Sequence, residues 1–172
     1  MIKLEYVPYG LAKINEYYGG QPAHVKLIEE KTTLVKNGEW GKANTMQIKI
    51  PFPLRLDYNR TLYIQRPWVH NKIADALIDA LLEIRNYAGY AFLKRYNLDI
   101  TSGIGNTRLM KGSTNLISLH AYFICIDMCP DLGPYGEPNR MPFFIHEAFI
   151  KRGFVNRTMD DGMHYQAADG YP

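Results

Sequence analysis

Residues 70–87 carry the long helical period of this chain. Ile73, Leu77, Leu81 and Ile84 recur at spacings of three and four, with Ile78 and Leu82 beside them. That pattern lays an apolar stripe along one side of an amphipathic helix. Pro67 precedes it and Gly89 supplies a stop. Such a helix needs a surface to cover its stripe, and the other segments are all shorter. Residues 9–18 place Leu11, Ile14, Tyr17 and Tyr18 at helical spacing and end at Gly19-Gly20. Residues 142–152 predict a second short helix, with Pro142 in its first turn and Gly153 at its end. Strand-like pieces lie at 46–50, 61–65 and 118–127, and Pro51 and Pro53 break the chain between the first two. Residues 101–115 read as loop, as do 129–142 with their four prolines. Helices and strands do not alternate as βαβ units, so the expected class is α+β, a small antiparallel sheet packed against helices.

A chain of 172 residues suits a single domain with a sizeable core. Its 47% hydrophobic and 22% charged residues are ordinary for a globular protein. A net charge of +3 is too mild and too scattered for a nucleic-acid footprint, though it suits attraction to an anionic polymer. The 13 tyrosines fit an amphipathic core boundary or a surface that handles sugars and peptides. The opening MIKLEYVPYG has no apolar stretch of the secretory kind, and no run reaches membrane-spanning length. The expectation is a reduced protein made in the cytosol, without membrane insertion. Cys125 and Cys129 do not suggest a disulfide framework.

Polar chemistry concentrates in two places. In 118–127, SLHAYFICID, a His and an Asp bracket an apolar run. Strand parity puts Phe123, Cys125 and Asp127 on one face. His120 is an odd number of residues from Asp127, so the two converge only if the chain bends between them. The second place is 160–165, DDGMHY, where Asp161 and His164 stand three apart around a glycine. His120, Asp127 and His164 together make a tripod for Zn²⁺ that leaves a fourth position for water. Asp161 is then the carboxylate available to move a proton. Blander readings stand beside this one. A His in an apolar run is ordinarily a hydrogen-bonded core residue, Asp127 can cap the turn-rich MCPDLGPYG, and DDG is itself a turn signal. Cys125, between two Ile, reads as a small inert hydrophobe. His146-Glu147 lacks a second His at metal spacing, and His24 and His70 show no partners.

These motifs resemble a known family. Ser118-x-His120 with Asp127 seven residues on, followed by Asp161-x-x-His164 in a GF…DGMHYQ context, is similar to the zinc D-alanyl-D-alanine carboxypeptidases and phage L-alanyl-D-glutamate endopeptidases. These share a fold group with lysostaphin-like enzymes and the hedgehog domain. The likeness extends to TSGIGNTRLMKGS at 101–113, to the 70–87 helix, and to 8–19 and 51–56. It implies a peptidase core over 61–172 with 1–60 packed on it. It implies one Zn²⁺ per chain held by His120, Asp127 and His164. Asp161 would be general base and then acid, and Arg108 would bind a substrate carboxylate or the oxyanion. Ser118 would support the site, with Tyr122 and Tyr165 flanking the cleft. The implied substrate is the stem peptide of peptidoglycan. The implied setting is a phage or prophage endolysin, held in the host cytoplasm until lysis or carried in the virion, with a holin or virion partner. The chain departs from the family pattern where Phe123 replaces a Gly and Cys125 an Ala. VNRTM at 155–159 also stands where relatives have a longer stretch. Parity puts the Phe123 ring on Asp127's face, beside the site, and the expectation is that the backbone makes room for it with a narrowed cleft rather than a lost metal.

Overall fold

The computed structural model describes residues 1–28, 31–157 and 159–171. Thr158, within the VNRTM segment, lies outside the described residues. The chain runs through α1 (Gly10–Tyr17), the strands β1 (Ala23–Ile28) and β2 (Lys31–Lys36), α2 (Gly38–Asn44) and β3 (Thr45–Gln47). Next come β4 (Leu54–Leu56), β5 (Asn59–Ile64), β6 (Trp68–His70), α3 (Ala74–Ala88), α4 (Tyr90–Arg95) and β7 (Ile100–Gly103). The last elements are β8 (Cys125–Met128), α5 (Phe143–Ile150), β9 (Val155–Arg157) and β10 (Asp161–Gln166). The class is α+β, as the lack of βαβ alternation predicts.

The main sheet has six strands in the order β5-β4-β7-β8-β10-β9. Its pairings are antiparallel except β4 with β7, which run parallel. β1 pairs with β2 and β3 with β6 in two small antiparallel ribbons. Strand β4 belongs to the main sheet, so the sheet begins before residue 61.

α3 buries the predicted stripe: Ile73 just before it, then Leu77, Leu81 and Ile84, are all at most 1% exposed. Gly89 ends it at φ +72, a left-handed conformation that costs a glycine little. Arg152, buried after α5, pairs with Asp79 and Glu83 of α3 and ties the two helices together.

Two segments differ from the sequence expectation. Residues 101–103, read as the start of a loop, belong to β7, because their backbone completes the ladder between β4 and β8. The run 118–127 is not one strand. Leu119–Tyr122 is a 3₁₀ turn and only Cys125–Met128 is strand. The bend falls at Phe123, which takes a left-handed conformation at φ 59, ψ 32. That conformation costs a non-glycine residue about 1–2 kcal/mol. It is held from three sides. The Phe123 N–H donates to His120 O at 3.1 Å, the Asn106 N–H donates to the same oxygen at 3.0 Å, and Phe123 O accepts from His70 N at 2.9 Å.

Candidate metal centre

Strand register explains why Asp127 and His164 meet. They are direct cross-strand partners on β8 and β10, so their side chains leave the same face of the sheet. The next pair on that face is Cys125 opposite Gln166. His120 arrives from outside the sheet, carried by the 3₁₀ turn and the bend at Phe123. Ser118 starts that turn, and its hydroxyl accepts from the His120 N–H at 3.3 Å.

The three expected ligands converge. His164 Nδ1 lies 2.8 Å from Asp127 Oδ1, and His120 Nε2 lies 3.2 Å from Asp127 Oδ2 and 3.2 Å from His164 Nδ1. Donors on a tetrahedral zinc with bonds of 2.0–2.1 Å stand about 3.3 Å apart, so the spacing fits an ion. The outer hydrogen bonds fit as well. His120 Nδ1–H donates to Ile104 O at 3.2 Å, and His164 Nε2–H donates to Gln166 Oε1 at 3.0 Å. The Gln166 amide is itself oriented, because its nitrogen donates to Ala168 O at 2.9 Å. Each ring thus spends its outer N–H on a fixed acceptor and turns its other nitrogen inward. A thiol joins them: His120, Cys125 and His164 form a buried group whose donor atoms lie within 4.8 Å of one another and could bind a metal ion.

Electrostatics favour a deprotonated Asp127. Burial alone would raise its carboxyl, but hydrogen bonds to His120 and His164 outweigh burial and hold it well below the usual carboxylate range. Burial likewise opposes a charge on His164, yet Cys125 and Asp127 lift that imidazole well above its ordinary value. Burial also pushes the Cys125 thiol up. These opposite shifts favour a proton shared between His164 Nδ1 and Asp127 Oδ1, the place a bound metal ion would take.

These residues sit at the floor of a cavity of about 690 Å³. His120, Asp127 and His164 are 4%, 6% and 8% exposed. Asp161, Asp160 and Arg108 line the cavity, and so does Ser118. Asp161 and His164 stand an odd number of residues apart, which in a regular strand would oppose their side chains. The register of β10 against β9 shifts between Asp161 and Tyr165, and Asp161 and His164 both line the cavity. Arg108 is exposed, and among the described residues no carboxylate pairs with it.

The chain matches no family model, no curated protein and no solved structure.

Three expectations need correction. Tyr122 and Tyr165 do not flank the cleft. Both are fully buried away from it, Tyr122 with its hydroxyl on Asn15 Oδ1 at 2.6 Å and Tyr165 stacked on Phe149. Phe123 does not crowd the site either. Leaving the strand early turns its ring onto Gly105, where an added Cβ would stand 2.0 Å from Phe123 Cδ1. His70 is not partnerless, for it is fully buried against Tyr18 and its Nδ1 accepts from Lys72 N at 3.1 Å. Sequence reasoning also missed residues. Gln166 was within reach, because strand parity from His164 places it on the same face. Lys111 and Tyr135 were not. They line the cavity from separate loops, with the Lys111 ammonium 4.4 Å from the Tyr135 ring centre.

Proposed function

We propose that this chain is a zinc-dependent peptidoglycan peptidase of the DD-peptidase/hedgehog-like fold. It hydrolyses an amide bond in the stem peptide, as a phage or prophage endolysin of the L-alanyl-D-glutamate endopeptidase type. The observation that carries the reading is the convergence of His120, Asp127 and His164 at the floor of a cavity that Asp161 and Arg108 also line. When bound there by His120, Asp127 and His164, a zinc ion supplies Lewis acidity and a water of lowered pKa.

The chain's own groups do the rest. Gln166 and Ile104 O orient the two imidazoles. Ser118 fixes the turn that presents His120. The Asp161 carboxylate takes a proton from the attacking water and gives it to the leaving amine nitrogen. The Arg108 guanidinium, on the cavity wall, offers its fork of donors to a substrate carboxylate or to the oxygen that gains charge. The net positive charge favours approach to an anionic wall. The proposed setting is the host cytoplasm until lysis, or the virion, with a holin or virion protein as partner.

Digestion of purified peptidoglycan, with new termini identified by mass spectrometry, tests the reading. New N-terminal D-Glu, with L-Ala left on the glycan, is the expected result. Released D-Ala would make the enzyme a carboxypeptidase instead. Binding to the wall without cleavage by zinc-loaded protein would make it a non-catalytic wall-binding or virion module. An Asp161→Ala variant should keep its metal and lose about 10²–10⁴-fold in rate.

A further inference from the structure

The two imidazoles at the cavity floor face a donor that the peptidase chemistry leaves idle. Cys125 precedes Asp127 by two residues on β8, so both side chains leave the same face of the sheet. Its cross-strand partner is Gln166, which holds His164 in place. The thiol and one ring nitrogen from each of His120 and His164 lie within 4.8 Å of one another. The same imidazoles meet Asp127 at 2.8 and 3.2 Å. Two donor trios therefore share one pair of rings. One is completed by a hard carboxylate, the other by a soft sulfur. Cys129 has no such place, since its sulfur faces Leu98 O at 3.4 Å. A buried Cys in an apolar strand is ordinarily an inert filler. The setting of Cys125 is instead two imidazoles whose outer N–H groups are already spent.

We propose that Cys125 is a metal ligand: thiophilic ions are held by His120, His164 and the Cys125 sulfur, with Asp127 as the alternative third donor for harder ions. The inference rests on the metal centre of the function proposed above. On binding, the S–H bond breaks as the metal–sulfur bond forms, and the proton passes to the buffer. Sulfur favours Cd²⁺ and Co²⁺ over Mn²⁺ and Mg²⁺, while borderline Zn²⁺ accepts either third donor, the carboxylate of the peptidase reading included. The centre therefore discriminates among divalent ions more sharply than two His and one Asp alone. Either trio supplies three protein donors and leaves a tetrahedral ion one further position.

Titration of the metal-free full chain with Co²⁺, followed by absorption, tests this. Wild type should show visible d–d bands together with a sulfur-to-cobalt charge-transfer band in the near ultraviolet. Cys125→Ala should keep the d–d bands and lose the charge-transfer band, while Cys129→Ser keeps both. Asp127→Asn should still bind Co²⁺ with the band present, and the Cys125→Ala/Asp127→Asn double variant should lose binding. The preference for Cd²⁺ over Mn²⁺ should fall at least about tenfold in Cys125→Ala. Circular dichroism checks each fold, and Cys125→Ser replaces the alanine variant if that one unfolds. Wild-type d–d bands without charge transfer, or a charge-transfer band that survives Cys125→Ala, would overturn the proposal. A charge-transfer band in protein that cleaves no wall would sink the peptidase reading and leave this one standing. No Co²⁺ binding at all would overturn both.

Discussion

Gln166→Leu tests whether the imidazoles are held ready for a metal. Gln166 makes two buried hydrogen bonds, accepting from His164 Nε2–H at 3.0 Å and donating to Ala168 O at 2.9 Å. Leucine keeps the volume and leaves the imidazole N–H and the carbonyl without those partners. Each orphaned buried group costs about 1–3 kcal/mol, partly offset by the added apolar surface, so the metal-free protein should lose about 2 kcal/mol. The larger effect should fall on metal binding. Loss of a partner that orients a ligating His lowers affinity about 10–100-fold, which is about 1.4–2.7 kcal/mol. At a fixed excess of Zn²⁺ the metal-induced stabilisation shrinks by that amount. For a chain of this size it corresponds to about 3–10 °C of melting temperature. Calorimetric scans of wild type and Gln166→Leu, each with and without Zn²⁺, read it directly. If the metal-induced shift is the same in both proteins, Gln166 does not prepare His164 and the fit argued from the outer hydrogen bonds fails.

Other perturbations probe separate links. Gly105→Ala should destabilise by about 1–3 kcal/mol through overpacking, because its Cβ would stand 2.0 Å from Phe123 Cδ1; an unchanged urea midpoint would contradict the packing of that ring. Burial pushes the His70 imidazole down to about 4. Between that value and the ordinary 6.5 the unfolded chain binds the extra proton, so stability is full above about pH 6.5 and falls as the pH drops toward 4, by about 3 kcal/mol. His70→Asn keeps a cap acceptor and should flatten this loss between pH 7 and 4.5 in urea titrations of metal-free protein; an equal loss in both proteins would clear His70 of the effect. Arg108→Ala should leave metal content unchanged and lower kcat/KM on stem peptide about 10–100-fold, and unchanged kinetics would remove Arg108 from substrate binding.

Much of the site was legible before folding, because it depends on residue type and local spacing. The α3 stripe and its stop at Gly89 follow from helical period and glycine geometry. The odd spacing of His120 and Asp127 demanded a bend, and the bend is there. Residue type alone nominated His120, Asp127, His164 and Asp161. The chain alone did not show where that bend falls or which faces meet. A phenylalanine in the left-handed region is disfavoured locally, and it persists here through backbone bonds to His120 and His70, one from a distant part of the chain. Once Phe123 leaves the strand, the parity that predicted its ring in the site no longer applies. Tyr122 and Tyr165 looked like cleft residues by position, but packing beside Asn15 and on Phe149 buries them. Register is a property of two strands at once. Asp127 opposite His164, Cys125 opposite Gln166 and the shift in β10 beside Asp161 each depend on which residues the ladder brings across from one another. The residue types of the candidate ligands were written in the order of residues, whereas the shared face of Asp127 and His164, the Gln166 partner and the thiol beside them came from the pairing of β8 with β10, and His120 came in on the turn before it.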